Sequence, residues 1–104
     1  MKHFKLTEEF VINAFGVKLF RIKSTIKSKY VDEGELGGFV EKEGNVSGNA
    51  WVSDNAQVYG NARVYGNAWV SGDTRVYGDA QVYGDAQVFG DAWVSDDTRV
   101  YGVS

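Results

Sequence analysis

Ala56-Gln57-Val58-Tyr59-Gly60-Asn61-Ala62-Arg63-Val64-Tyr65-Gly66-Asn67-Ala68-Trp69-Val70-Ser71 carries the period that decides the fold. Working outward from it, valine recurs at every sixth residue, at positions 40, 46, 52, 58, 64, 70, 76, 82, 88, 94 and 100. Two residues before each valine stands a small side chain: Gly38, Gly44, Ala50, Ala56, Ala62, Ala68, Thr74, Ala80, Ala86, Ala92 and Thr98. Successive side chains of a strand point to opposite faces, so the small residue and the valine share one face. The alternate positions hold Arg, Gln, Trp, Tyr, Phe and Ser, which makes the Ala–Val face the inner one. Gly with Asn or Asp then falls at the bend, where left-handed backbone angles are tolerated. One hexad is one short strand plus one corner, and three hexads close a triangular coil with valine stacked on valine. Each buried valine contributes roughly 1.5–3 kcal/mol. The stretch 40–104 makes about three and a half coils, a prism roughly 17 Å tall at ~4.8 Å per coil.

Residues 1–39 show no hexads. Apolar residues alternate or cluster over 4–6, 10–12 and 17–26, which predicts short strands, with Asn13-Ala14-Phe15-Gly16 as a turn between the second and third. A solenoid end exposes its apolar interior and unpaired strand edges, so this segment is expected to be the N-terminal cap. Residues 32–38 then lead into the first coil.

The hexads resemble the hexapeptide-repeat left-handed β-helix superfamily, in which an aliphatic residue is followed four positions later by a small one, as Val58 is by Ala62 and Val64 by Ala68. The sequence departs from that pattern in one respect: Tyr, Ser or Phe stands between the valine and the glycine. Left-handedness is implied by the resemblance alone. Leu36-Gly37-Gly38-Phe39-Val40-Glu41-Lys42-Glu43, followed by Asn-Ala-x-Val hexads, is similar to small phage and prophage hexapeptide-repeat, polymer-forming-like proteins of unassigned function. The expectation is an all-β chain, a single-stranded left-handed triangular β-helix over 40–104 with a small N-terminal β cap over 1–39, together one compact domain.

Composition bounds the function. The 104 residues suit one domain, and the charged fraction of 24% and hydrophobic fraction of 43% are those of a soluble protein. No apolar run is long enough to cross a bilayer and the first residues lack a secretion signal, so the chain is expected in the cytoplasm of a bacterial host, with no membrane partner. There is no cysteine, hence no disulfide and no thiolate metal site. Residues 1–43 carry eight Lys/Arg against seven Asp/Glu, while residues 44–104 carry three Arg against seven Asp. The acidic repeat region argues against direct nucleic-acid binding, which needs cations to displace counterions from phosphate.

Hexapeptide β-helices resemble one another in being often acyltransferases, with a His base and a loop extruded from a coil. Here the single histidine, His3, lies outside the repeats beside the N-terminus, where a surface role is expected, and no insertion breaks the hexads. The β-helical carbonic anhydrases need three His for zinc. Nucleophilic catalysis lacks both Cys and a Ser–His pairing. The reading is therefore a non-enzymatic binding protein with no cofactor and no metal.

Folding the hexads into three faces sorts the outward residues into columns. One holds Trp51, Trp69 and Gln87 beside Ser53, Ser71 and Phe89. A second holds Arg63, Gln81 and Arg99 beside Tyr65, Tyr83 and Tyr101. The third holds Phe39, Gln57, Arg75 and Trp93 beside Glu41, Tyr59, Tyr77 and Ser95. Outward aromatic rows mark an interface or stabilise the sheet by cross-strand pairing. The binding candidates are Trp51, Trp69, Trp93, Arg63, Tyr65, Arg75, Tyr83, Arg99 and Tyr101. Asp73, Asp79, Asp85 and Asp91 follow the corner glycines and read as a possible acidic column imitating phosphates. With an eighteen-residue coil, Asp73 under Asp91 and Asp79 under Asp97 read as close carboxylate pairs that could hold calcium, or as turn residues bonding their own backbone.

Partners follow from these columns. The last full hexad ends at Gly102, leaving the upper strand edge without a cap, so self-association as a trimer or an end-to-end dimer is expected. Three functions compete: a phage accessory protein that blocks a host defence component, a receptor for a nucleotide-like small ligand using Arg beside Tyr or Trp, and a structural or glycan-binding virion module with Trp51 and Trp69 as platform.

Overall fold

The computed structural model describes residues 3–101 other than Ala14, Ile26, Ser28, Lys29, Tyr30 and Asp96. Twelve strands follow in order: β1 Phe4–Ile12, β2 Lys18–Ser24, β3 Leu36–Val40, β4 Trp51–Val52, β5 Gln57–Val58, β6 Arg63–Val64, β7 Trp69–Val70, β8 Arg75–Val76, β9 Gln81–Tyr83, β10 Gln87–Val88, β11 Trp93–Val94 and β12 Arg99–Tyr101. They form three sheets, ordered β1-β2-β3-β5-β8-β11, β4-β7-β10 and β6-β9-β12. Every third hexad joins the same sheet, because parallel partners lie eighteen residues apart, as in Trp51 with Trp69, Gln57 with Arg75 and Arg63 with Gln81. The chain is a β-solenoid of three hexads per coil.

The rungs are tied by backbone bonds in which the outward-facing residues donate upward. Ser53, Tyr59 and Tyr65 donate their N–H groups to the carbonyls of Val70, Val76 and Val82 in the coil above, at 2.8, 2.9 and 2.9 Å. Val40, Val46, Val52, Val58, Val64, Val70, Val76 and Val82 are all completely buried, as the six-residue beat requires. Thr74 occupies an alanine position in this interior and is satisfied, its hydroxyl donating to the Ser71 carbonyl at 2.8 Å. Corners use glycine in the left-handed region, as at Gly60 (φ 69°) and Gly78 (φ 68°). A Cβ on Gly60 would lie 3.2 Å from the Gly78 backbone nitrogen, so successive corners stack with little room to spare.

The N-terminal segment does more than cap. β1 is one strand with a bulge between Leu6 and Phe10 rather than two short ones. Its turn is built on Asn13, whose side-chain oxygen accepts from the Phe15 and Val17 N–H groups. β2 pairs antiparallel with β3, which in turn pairs parallel with β5, so cap and prism share one sheet and β3 runs across residue 39. The expected strand over 17–26 is β2; Ile26 lies outside the described residues.

The two faces of β2 cover different surfaces. Ile22, with Phe4 and Val31, closes the lower end against Val40, Val46, Trp51 and Val52. Leu19, on the other face, packs on Phe39 and Tyr59. Arg21 fastens the arrangement: it pairs with Glu9 at 2.9 Å, donates to the Gly37 carbonyl at 2.7 Å and lies 4.4 Å over the Phe39 ring. Gly37 and Gly38 are dictated by space, since a Cβ would lie 2.5 Å from the Val52 carbonyl oxygen and 2.6 Å from that of Ala56, respectively. Above them, the buried Asn45 satisfies the first corner, its amide donating to the Gly60 and Ala62 carbonyls at 3.3 and 2.9 Å.

Candidate binding groove

The three outward columns form as the period dictates: Trp51-Trp69-Gln87, Arg63-Gln81-Arg99 and Phe39-Gln57-Arg75-Trp93 are cross-strand neighbours in that order. Their accessibility differs from expectation. Trp51 stands outward in the alternation yet is only 1% exposed, because His3, Phe4 and Gly37 close over it. It is withdrawn as a binding residue, and the Trp51–Trp69 platform for glycans goes with it. Phe39 and Tyr59 are likewise buried, beneath β2. His3 is not a loose surface side chain: its Nε2 lies 2.6 Å from the Ala50 carbonyl oxygen, which can only accept, so Nε2 carries the proton.

The remaining aromatic and arginine residues divide. Trp69 is half-buried and donates to the Ser53 hydroxyl at 2.9 Å. Tyr65, Tyr83 and Tyr101 stack in one ladder at 5.1 and 5.5 Å, and the Tyr65 hydroxyl donates to Gln81 at 3.2 Å. Among the described residues, Arg63 and Arg99 stack on no ring. Arg75 does, with its guanidinium 5.0 Å over the Trp93 indole, and Tyr77 meets that indole edge-on at 6.0 Å.

The four acidic candidates do not share one column. Asp73 and Asp91 stand at one corner with Asn55, one coil apart; Asp79 follows Asn61 at a second, and Asp85 follows Asn49 and Asn67 at the third. At the second and third corners the asparagine amide donates to the aspartate above, Asn61 to Asp79 and Asn67 to Asp85, each at 3.3 Å. An imitation of a phosphate row along one edge is therefore not built here. At the first corner no side-chain hydrogen bond joins Asn55, Asp73 and Asp91 among the described residues.

That corner borders a groove of about 400 Å³ lined by Asn55, Gln57, Asp73, Arg75, Asp91 and Trp93. Two sets of candidates that the sequence left apart, Arg75 with Trp93 and Asp73 with Asp91, thus meet at one place. Asn55 and Gln57 were missed. Their signal was the alternation itself, because residues i and i+2 of a strand face the same way, as in Asn55/Gln57, Asp73/Arg75 and Asp91/Trp93. Trp93 is 56% exposed. Neither Arg75 nor the two aspartates joins an ion pair among the described residues, although both charges border the same groove. The Gln57 side-chain oxygen is buried there without a hydrogen-bond partner.

The chain matches the family model described as YdcK beta solenoid repeat over residues 56–72 and 80–96, together about a third of its length. Both segments begin at an inward alanine, four hexads apart. No curated protein matches the chain.

Proposed function

From the premise that the chain is a protein of the repeat β-helix superfamily, we propose that it is a non-enzymatic binding protein whose working surface is the Asp73–Arg75–Asp91–Trp93 groove. One observation carries the reading: an exposed tryptophan backed by a guanidinium stands beside a column of two carboxylates that no described side chain pairs. Trp and Arg are the residues that dominate binding energy where they sit in a desolvated patch. The aspartates give such a patch a preference for a basic side chain of a protein partner, which can bond to the carboxylates and lie against the indole. The similarity to small phage and prophage hexapeptide-repeat proteins supplies the finer proposal, a host component that is bound and blocked in the bacterial cytoplasm.

The test is quantitative capture from bacterial lysate by the intact protein and by Trp93→Ala and Asp73→Asn/Asp91→Asn variants. A partner enriched by the wild type and lost with both variants supports the reading. An identical captured set from all three proteins removes the groove from it. A small-ligand reading is favoured by the groove's volume alone, which lies within the range of small-molecule pockets. A nucleotide panel that leaves the melting temperature unmoved would dispose of it.

A further inference from the structure

The upper end of the prism differs from every other part of its surface. β10, β11 and β12 are the edge strands of all three sheets at once. The N–H groups of the outward-facing residues of each rung donate to the rung above, so those of Phe89, Asp91, Trp93, Arg99 and Tyr101 face three open edges. The interior opens there in part: Val88 and Val94 stay buried, but Ala92 and Val100 are only half-buried and Thr98 is exposed, while Thr74, lower down, is sealed. A Cβ on Gly72 would meet the Gly90 carbonyl oxygen at 2.8 Å, whereas one on Gly90 would meet nothing within 4 Å. Each side of this rung also carries one large exposed ring: Phe89 at 68%, Trp93 at 56% and Tyr101 at 61%.

We infer that this rung docks on the same rung of a second copy, head to head, closing a two-fold dimer. The inference shares Trp93 and Asp91 with the groove but rests on the open strand edges and not on what the groove binds. Open strand edges pair with whatever edge matches them, and here the match must offer three edges at the corners of one triangle. The lower end offers no such set. Beneath β4, the Ala50 carbonyl is taken by His3, and the β3 edge is taken by β2. Beneath β6 the described residues offer no strand, only the 3-10 turn Glu43–Asn45 and the single Val46–Val64 bridge. The edge of the first sheet, β1, lies on one side only and carries Lys5, Glu8, Glu9 and a bulge, all devices that discourage pairing. Phe10, Val11, Ile12 and Phe15 are exposed near that hairpin turn, again on a single side. Head-to-tail stacking into a fibre is thereby blocked, and a second upper rung is the complementary surface. A two-fold axis perpendicular to the prism reverses strand direction, so the three edges meet antiparallel. The tyrosine ladder and the Arg75–Trp93 stack each gain a further ring across the seam. An isologous contact of this kind closes on itself.

Light scattering at tens of micromolar is expected to give twice the chain mass. Phe89→Lys/Tyr101→Lys, on the rim, is expected to weaken association by at least about tenfold, in line with truncation of aromatic interface residues. The absence of cysteine permits a geometric check with Phe89→Cys, Trp93→Cys and Tyr101→Cys. The two-fold places one side on the axis and exchanges the other two. One variant then cross-links with itself, and the remaining two cross-link only when mixed. A monomer mass, a three-copy mass, or a dimer unmoved by the rim lysines would overturn the inference; for rim variants that lose their β-sheet circular dichroism, the cysteine pattern decides it.

Discussion

The two ends of the prism are written in the same hexad and have opposite fates. Trp51 and Trp93 stand in the same position, immediately before an inward valine, yet one is 1% exposed and the other 56%. The repeat fixes which way each side chain points, and the non-repeating segment decides what is then covered. At the lower end β1, β2 and residues 31–40 wrap the first coil, so an outward tryptophan becomes core. At the upper end no described residue does this. The largest expected effect tests that contrast directly. Trp51→Ala should cost about 3–5 kcal/mol in chemical denaturation, the range for truncating a buried aromatic. At monomeric dilution, Trp93→Ala should change stability by no more than ~0.5 kcal/mol. Equal losses would mean that the cap contributes nothing to the difference.

The valines sharpen the same comparison. Val58 is completely buried in mid-prism, and Val100, seven hexads further on, is only half-covered. Val58→Ala should lose roughly 1.5–3 kcal/mol, the transfer value of the side chain, and Val100→Ala less than about 1 kcal/mol in the monomer, because little apolar surface returns to water. Under conditions where the upper rungs of two copies associate, the gap between the two variants should narrow. A Val100→Ala loss as large as that of Val58→Ala at monomeric dilution would show the upper rung to be sealed from within.

The fold was legible because the signal is strictly periodic: one valine per hexad and one small residue two before it determine face, corner and coil length together. The columns followed, down to the neighbours Gln57, Arg75 and Trp93. The burial of Trp51, Phe39 and Tyr59 was not legible, since it depends on where an aperiodic segment folds back, and Leu19 and Ile22 carry no mark of which surface each will cover. The groove was half legible. Arg75 with Trp93 and Asp73 with Asp91 each follow from the eighteen-residue coil, but joining them requires reading the corner and the strand as one surface. Asn55 and Gln57 are what that reading adds.

The smallest expected effect separates two tyrosines of one column. Tyr59 and Tyr77 stack nearly parallel, with centroids 5.2 Å apart, but Tyr59 is buried under Leu19 and Phe39 while Tyr77 is only half-buried. Its hydroxyl is buried without a hydrogen-bond partner among the described residues. Burial, reinforced by the neighbouring Tyr77 and opposed by Arg75, raises its pKa above the ordinary 10.0. The neutral phenol is thus the form that the fold prefers. The associated stability is fully present below the unfolded value of 10.0 and is lost as pH rises through the folded one. Tyr59→Phe removes a hydroxyl that makes no bond, so at neutral pH it should be neutral or stabilising by up to about 1 kcal/mol. It should also flatten this part of the alkaline decline, measured as denaturation midpoints at pH values on either side of 10.0. Tyr77→Phe, at a half-buried ring that the cap meets through Phe15, centroids 6.5 Å apart, serves as the control. If the two variants have the same alkaline profile, the covering by β2 does not reach the Tyr59 hydroxyl, and the division between a wrapped lower part and an open upper part has been drawn one coil too high.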